Sequence, residues 1–206
     1  MKKFLTFAAA TCAASFISVS AHATTVDFVE EAAGNERGVE SGAILDIGGI
    51  SIQLNSNFNP YFDDVLPSGA PGGLGVCQVL DGNECDPSDD DNITVGEYVE
   101  LVFLDGALDL TSLSFNDGDH NSLDADNVSQ VSIIINDGAA MILTFADAVQ
   151  MAAAGTFEGV SSIRFDFVDT DFYIDSLSSV PIPGAIPLLL SGIAGLGFAS
   201  RKKKKA

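Results

Sequence analysis

Hydrophobic and polar residues alternate along most of the chain between Thr24 and Ser179, in short stretches separated by Gly, Asn and Asp. In YVELVFL, Val99, Leu101 and Phe103 fall on one face, which is the period of a half-buried β-strand. The other predicted strands are VDFVE (26–30), ILDIGGISIQL (44–54, one bent or two short strands around its two glycines), LTSLSF (110–115), VSIII (131–135), MILTF (141–145), SIRFDFV (162–168) and DFYIDSLSS (171–179). The pattern predicts an all-β fold.

Turn signals separate these strands. Asn136-Asp137-Gly138 is typical of a β-hairpin, and the Pro- and Gly-rich stretch 67–75 is predicted to be a loop. One segment, 146–154 (ADAVQMAAA), favours helix, and Gly155 would end it. About eight to ten strands predict a single two-sheet β-sandwich, jelly-roll-like, with its termini close together.

The last strand also sets a direction for individual side chains. In DFYIDSLSS, Phe172 and Ile174 share one face, opposite Tyr173 and Asp175. Similarly, Leu113 and Phe115 of LTSLSF are expected to point inward.

A secretory signal peptide is predicted at residues 1–23. Lys2 and Lys3 precede an apolar region at 4–19, and Ala21 and Ala23 complete a small-x-small cleavage site. A retained membrane helix is the alternative, but it would need a longer apolar run. The mature chain is therefore expected to begin at Thr24 in an oxidising compartment.

Two cysteines remain after removal of the signal peptide. Cys77 and Cys85 bracket CQVLDGNEC, which contains the turn signal Asp81-Gly82. We expect a disulfide that closes a hairpin-like loop. A zinc site on these thiolates is less favoured, because zinc needs further Cys or His ligands and the mature chain has a single histidine, His120.

Charge is distributed very unevenly. All 29 acidic residues lie between Asp27 and Asp175, where Arg37 and Arg164 are the two basic ones, giving a net charge of −27 for this stretch. Such a field repels nucleic acid and anionic lipid, so no nucleic-acid partner is expected. It favours cations or neutral polar ligands such as glycans.

The C-terminal segment, 180–206, has the opposite character. It carries no charge from Gly184 to Ala199, close to the length of a membrane-spanning helix. A basic cluster follows at Arg201, Lys202, Lys203, Lys204 and Lys205. By the positive-inside rule this cluster remains cytoplasmic and the acidic domain lies outside.

The segment begins with V-P-x-P and continues with small residues, a Leu-rich run that contains S-G-x-x-G-L-G, and the basic cluster. The residues are Val180, Pro181, Pro183, Gly184, Ser191, Gly192, Gly195, Leu196 and Gly197. The segment resembles the PEP-CTERM class of bacterial sorting signals, especially its VPLPA-type variant. The resemblance implies processing by an exosortase-type transpeptidase, which removes the helix, often beside exopolysaccharide production. Ile182 stands where the PEP form has Glu, and Gly184 where the variant usually has Ala; a permanent tail anchor is the alternative.

The stretch FYIDSL is similar to the last strand of carbohydrate-binding-module-like jelly rolls. That resemblance implies a structural ion between the first and last strands, held by Glu30 or Glu31 and Asp175. The alternative is that the stretch only follows the ordinary alternation of a closing strand.

Two acidic loops are the other candidates for calcium, which prefers oxygen ligands. They are ECDPSDDDN (84–92) and NDGDHNSLDADN (116–127), and the second supplies Asp117, Asp119, Asn121, Asp124 and Asp126. It begins like an EF-hand but has Ser122 in place of the required Gly and Val128 in place of the Glu. The alternative is that these acids only solvate turns.

Exposed aromatic side chains stack on sugars, and NPYFDD with the preceding Phe58 is the candidate stretch. Phe58, Tyr61 and Phe62 are the predicted glycan contacts; in the alternative, Phe58 and Phe62 cap the core. His120 is interpreted as a solvated loop residue rather than a general base. The sequence thus predicts a non-catalytic exported protein of the cell surface or extracellular matrix, structural or glycan-binding, with a hydrolase using two carboxylates as the alternative.

Overall fold

The computed structural model describes residues 23–64, 72–88, 90–123 and 128–181. The predicted signal peptide and C-terminal segment lie outside these ranges, apart from Ala23, Val180 and Pro181. The strands are β1 (Thr24–Asp27), β2 (Arg37–Gly38), β3 (Ala43–Ile47), β4 (Ile50–Ser56), β5 (Asn59–Asp63), β6 (Gly73–Cys77), β7 (Leu80–Asp81), β8 (Glu84–Cys85), β9 (Tyr98–Phe103), β10 (Leu108–Asp117), β11 (Gln130–Ile135), β12 (Met141–Thr144), β13 (Phe157–Val160), β14 (Ser162–Phe167) and β15 (Phe172–Pro181). The helices are α1 (Phe28–Ala32) and α2 (Phe145–Ala153).

The strands form two antiparallel sheets. Sheet A has the order β13-β10-β15-β6-β5-β2, with β1 also paired to β15, and sheet B has the order β12-β11-β14-β9-β4-β3. Strands β7 and β8 form a separate two-stranded hairpin. The all-β prediction is confirmed, and the arrangement is sandwich-like.

Both sheets contribute to one hydrophobic core. The predicted inward face of β9, Val99, Leu101 and Phe103, is buried, because alternate residues of a strand point to the same side. Across the core, the ring centroid of Phe115 on β10 lies 5.6 Å from that of Phe165 on β14 in an edge-to-face arrangement. Such contacts hold sheet A against sheet B.

The predicted hairpins form. Strands β3 and β4 pair around Gly48 and Gly49, which have φ values of 62° and 78°, so 44–54 makes two strands rather than one bent strand. Asn136 and Asp137 also have positive φ, 52° and 56°, as a tight turn between β11 and β12 requires. The turn-forming residues therefore predicted both hairpins.

The predicted helix forms one residue earlier than expected, as α2. Thr144 caps it, since its side chain accepts a hydrogen bond from the Asp147 backbone N–H at 3.0 Å. Gly155 follows with φ 69°. None of the helices in the described ranges is long and apolar enough to span a membrane.

Several expectations need correction. The predicted strand 26–30 ends at Asp27, whose carboxylate accepts a hydrogen bond from Glu30 N at 2.8 Å and caps α1. The end of the predicted loop 67–75 belongs to β6, because Gly73–Cys77 pairs with β5. The described ranges hold fifteen strands rather than eight to ten, since two-residue strands are too short to show alternation.

The chain ends of the domain meet. Strand β1 pairs with β15, with Thr24 opposite Ser179 and Asp27 opposite Ser176. On its other side β15 pairs with β10, where Val180 lies opposite Asp109 and Pro181 opposite Leu108. The described elements from Thr24 to Pro181 thus close on one another around the shared core.

Candidate functional site

Three carboxylates from separate parts of the chain converge beside sheet A. Glu36 follows α1, Asp63 is the last residue of β5, and Asp91 precedes β9. One oxygen of each lies within 4.8 Å of the others. Asp63 and Asp91 are 6% and 7% exposed, whereas Glu36 is exposed, so the cluster opens to solvent on the Glu36 side.

Close backbone packing positions Asp91. A Cβ on Gly75 of β6 would lie 2.0 Å from the Asp91 carbonyl oxygen and 2.8 Å from Asn92 Cα, so the segment can rest on β6 only where glycine stands. Ile93 fixes the same segment to β15, because its N–H donates to the Phe172 carbonyl at 2.8 Å. The side chain of Asp91 is thereby brought beside the end of β5.

Two buried tyrosines orient the carboxylates. The Tyr61 hydroxyl donates to Glu36 Oε1 at 2.7 Å, and the Tyr173 hydroxyl donates to Asp91 Oδ1 at 2.5 Å. Burial and the neighbouring carboxylates raise the pKa of both tyrosines, so both hydroxyls remain protonated donors. Tyr173 was predicted to lie on the strand face opposite Phe172 and Ile174; that face is also buried at this position, where Tyr173 is 1% exposed.

His120 belongs to the same cluster. It sits in the turn that follows β10 with φ 63°, is 6% exposed, and places Nε2 at 2.9 Å from Asp63 Oδ2. Its ring packs edge-on against Tyr173, with centroids 5.0 Å apart. The prediction of a solvated loop histidine is therefore wrong: the turn folds its imidazole inward.

Electrostatic repulsion and burial act together on the carboxylates. Burial is the main cause that raises the pKa of Asp63 to about 7, followed by the charges of Asp91 and Glu36. Burial also raises the pKa of Asp91. Asp63 Oδ2 is buried and, from the part of the chain that the structure describes, accepts no well-aligned hydrogen bond, although it contacts the imidazole of His120.

The two arginines of the acidic stretch are engaged elsewhere. Arg37 pairs with Glu31 at 2.5 Å and lies over the Phe62 ring. Arg164 pairs with Asp166 and lies 3.6 Å from the centroid of the Tyr98 ring. Neither arginine therefore neutralises the three carboxylates. Carboxylate oxygens are the ligands that a hard cation prefers.

The described part of the calcium loop predicted around Asp117 forms a turn after β10. Asp117 Oδ1 accepts hydrogen bonds from Asp119 N at 3.0 Å and Asn121 N at 2.7 Å, so it stabilises the turn that carries His120. A cleft of about 280 Å³ lies beside it. It is lined by Asn92, Asp117, Gly118, Asp119, Thr170 and Asp171. Asp124 and Asp126 lie outside the described residues.

Nor does the structure place the predicted first-to-last-strand ligands in such a cluster. Asp175 Oδ2 accepts a hydrogen bond from the Ser114 hydroxyl at 2.7 Å, while Glu30 lies in α1 and lines a separate cleft. Among the described residues, Glu36, Asp63 and Asp91 form the one group of three Asp, Glu, His or Cys ligand atoms this close together. Of the three, Asp91 falls within the predicted acidic loop 84–92, but no local pattern distinguishes Glu36 or Asp63 from the other acids.

The predicted glycan contacts are divided. Phe58 is 39% exposed, but Tyr61 and Phe62 are 1% and 0% exposed and cannot stack on a sugar. This corrects the prediction for Tyr61 and Phe62, whose stretch is not a loop but strand β5, covered on both sides by pairing with β2 and β6. Of the three, Phe58 is the accessible one.

The Cys77–Cys85 disulfide is confirmed, with an S–S distance of 2.05 Å, and it encloses the β7–β8 hairpin. Both cysteines pack against Tyr61, and Cys85 N donates to the Tyr61 hydroxyl at 3.4 Å. The disulfide-bonded hairpin thus covers one wall of the carboxylate cluster.

Comparison of the chain with protein-family models, with curated proteins and with solved structures finds no match in any of the three.

Proposed function

We propose that the chain is an exported bacterial protein of the cell surface or extracellular matrix, non-catalytic, with a structural or glycan-binding role. It reaches the outer face of the inner membrane, is processed there by an exosortase-type enzyme, and passes to the cell surface or the medium. Its folded domain, jelly-roll-like in finer detail, is stabilised by calcium.

The observation that carries this proposal is the pairing of β1 with β15. Thr24, the expected first residue of the mature chain, lies opposite Ser179, and the sorting motif begins at Val180. Both processing sites would therefore flank the folded domain at one place. Removal of the signal peptide and of the apolar helix would leave the described strands and helices intact.

Surface chemistry favours neutral polar ligands over anionic ones. The net charge of −27 between Asp27 and Asp175 repels phosphate-rich polymers and leaves uncharged polysaccharide as the compatible polymer. Exposed Phe58 offers an apolar face for a sugar ring. The polar cleft beside Asp117 offers groups that can bond hydroxyls.

The alternative function is a carbohydrate-active hydrolase that uses two carboxylates. The observation that favours it is the proximity of Asp63 and Asp91, both with raised pKa. Against it, both side chains are more than nine-tenths buried, which keeps a polysaccharide chain away from them. Release of reducing ends from surface polysaccharide, lost in Asp63→Asn, would establish the hydrolase and exclude the non-catalytic role.

The deciding experiment is binding of the domain 24–181 to surface polysaccharide from the producing cells, in calcium and in chelator. We expect retention in calcium that weakens in Phe58→Ala and persists in Val95→Ala, a control at another exposed apolar residue. Absence of binding in both buffers would exclude the glycan-binding role and leave the structural one.

Processing is tested separately by the intact mass of the surface form. A mass that lacks the apolar and basic segment supports the exosortase-type route. A mass that includes it would indicate a permanent membrane anchor instead.

A further inference from the structure

We infer that Glu36, Asp63 and Asp91 bind a single hard divalent cation of the calcium class, which ties three separate segments of the chain together beside sheet A. This inference rests on the calcium-stabilised part of the proposed function and assigns it a site. Asp91 belongs to the predicted acidic loop 84–92, whereas Glu36 and Asp63 lie outside both acidic loops and outside the ligand set that the FYIDSL resemblance implied.

The spacing suits one ion. Calcium binds oxygen ligands at about 2.3–2.6 Å, so two oxygens on opposite sides of the ion lie roughly 5 Å apart. One oxygen from each of the three carboxylates lies within 4.8 Å of the other two. The three carboxylates supply part of the six to eight oxygens that calcium takes, and water at the solvent-exposed Glu36 side can supply the rest.

A second observation points to a ligand independently. Asp63 is more than nine-tenths buried, and within the described residues its Oδ2 accepts no hydrogen bond of good geometry, since the imidazole N–H of His120, whose Nε2 lies 2.9 Å away, is not aligned with it. A buried carboxylate oxygen without such a donor carries a large desolvation cost. A bound cation removes this cost directly, because it supplies positive charge and a coordination bond to that carboxylate.

The surrounding groups match the outer shell of a cation site. The hydroxyls of Tyr61 and Tyr173 donate to Glu36 and Asp91 and leave the second oxygen of each carboxylate for the ion. The imidazole of His120 contacts Asp63 at Oδ2, with Nε2 2.9 Å away. These contacts fix the orientation of all three ligands before an ion arrives.

The donor set selects the class of ion. Every ligand is a carboxylate, the nearby sulfur atoms of Cys77 and Cys85 are joined in a disulfide, and hard cations prefer oxygen. Entry is from the side of Glu36, the exposed ligand. An ion held there would connect the segment after α1, the end of β5 and the loop that follows the disulfide.

The test uses the exported chain purified in detergent, without polysaccharide, with Tb³⁺ as the probe and Ca²⁺ as the competitor. The chain has no tryptophan and three tyrosines, so luminescence of Tb³⁺ excited through tyrosine reports an ion close to a tyrosine ring. We expect a signal that saturates at one ion per chain, is displaced by Ca²⁺, and accompanies a rise in the thermal unfolding midpoint.

The variants locate the site. Glu36→Gln, at the exposed ligand, is the change least damaging to the fold, and Asp63→Asn is the buried counterpart; each should weaken Tb³⁺ and Ca²⁺ binding at least about tenfold. Asp175→Asn and Asp119→Asn, matched controls at acids outside the cluster, should bind as the unaltered chain does. Far-ultraviolet circular dichroism in chelator verifies that each variant is folded.

Two results would overturn the inference. One is an unaltered chain with neither a tyrosine-excited signal nor a calcium-dependent midpoint. The other is binding that persists in folded Glu36→Gln but disappears in Asp175→Asn or Asp119→Asn. Because polysaccharide is absent, failure here leaves the glycan-binding role untouched, and failure to bind polysaccharide leaves the ion site untouched.

Discussion

Asp63 ends β5 in a buried position, next to two other carboxylates. Its pKa is raised to about 7, first by burial and then by the charges of Asp91 and Glu36. An aspartate in the unfolded chain titrates near 3.9. Between about pH 4 and pH 7 the folded protein therefore binds a proton that the unfolded chain has released.

In chelator, we expect the titration of Asp63 to lower the free energy of unfolding as the pH rises from about 4 to about 7. Above about pH 7 the contribution of Asp63 should no longer change with pH. Urea unfolding across this range measures it, and Asp63→Asn should flatten the fall. The groups that face this carboxyl are Asp91, Glu36, Asp64, His120 and Tyr173. An identical pH profile for the variant would contradict the assignment to Asp63.

Asn136 has an equally specific role in the hairpin between β11 and β12. Its Oδ1 accepts hydrogen bonds from Ser161 N at 2.7 Å and Ser162 N at 3.1 Å, and its Nδ2 donates to the Gly159 carbonyl at 2.9 Å. Its neighbour Asp137 shares the positive φ.

Asn136→Gly and Asp137→Gly therefore form a matched pair. Both substitutions place glycine at a residue with positive φ, and this change by itself stabilises the fold because glycine adopts that conformation without strain. Asn136→Gly also removes the acceptor of the exposed Ser161 N–H and the part-buried Ser162 N–H and should lower the free energy of unfolding by roughly 0.5–1.5 kcal/mol, whereas Asp137→Gly should be neutral or stabilising. Urea unfolding of the two variants measures the difference; equal effects would mean that the side-chain hydrogen bonds contribute nothing.

At the scale of elements, the contact between β6 and the segment 90–93 decides the geometry of the carboxylate cluster. Gly75 permits this contact because any side chain would overlap the Asp91 backbone. Gly118, in the turn after β10, faces side chains instead, with Asn92 Nδ2 at 3.2 Å from the position a Cβ would take. These two glycines allow the backbone contact to be tested.

Gly75→Ala should destabilise the fold by roughly 1–3 kcal/mol, because the added methyl group displaces the backbone of residues 91–92. It should also weaken cation binding, since Asp91 moves with its backbone. Gly118→Ala, whose neighbours can rotate, should have a small effect on both. Differential scanning calorimetry and Tb³⁺ titration measure the two properties, and unaltered Tb³⁺ affinity in Gly75→Ala would place Asp91 outside the site.

At the scale of the whole molecule, self-repulsion is the dominant electrostatic effect. The stretch from Asp27 to Asp175 carries a net charge of −27, and the two arginines within it are paired with Glu31 and Asp166. Such a charge destabilises the compact state, because folding brings like charges together. Monovalent salt screens this repulsion over about 10 Å at 0.1 M.

We therefore expect the thermal unfolding midpoint in chelator to rise with sodium chloride concentration. Calcium should raise it further at concentrations too low to screen charge, and this additional rise should disappear in Glu36→Gln while the sodium chloride effect remains. A midpoint that does not change with sodium chloride would show that repulsion is already compensated.

Local features of the sequence determined much of this protein. The inward faces of β9 and β10, the two hairpins at glycine or Asn-Asp-Gly turns, α2 and the disulfide could all be predicted, because strand alternation, turn chemistry and helix propensity act over a few neighbouring residues. Helix α1 was not predicted because VDFVE alternates as a strand does, whereas Asp27 in the same stretch caps a helix.

Only the tertiary structure decided which polar residues are buried. His120 was predicted from loop composition to be solvated, yet segments distant in sequence cover it. Alternation placed Tyr173 on the face opposite Phe172 and Ile174 without showing that this face is buried as well. Glu36, Asp63 and Asp91 meet because β5, β6 and β15 pair and Gly75 admits the backbone beside it. The physical reason is that burial of a charged group depends on long-range packing, which no pattern in one stretch of the chain contains.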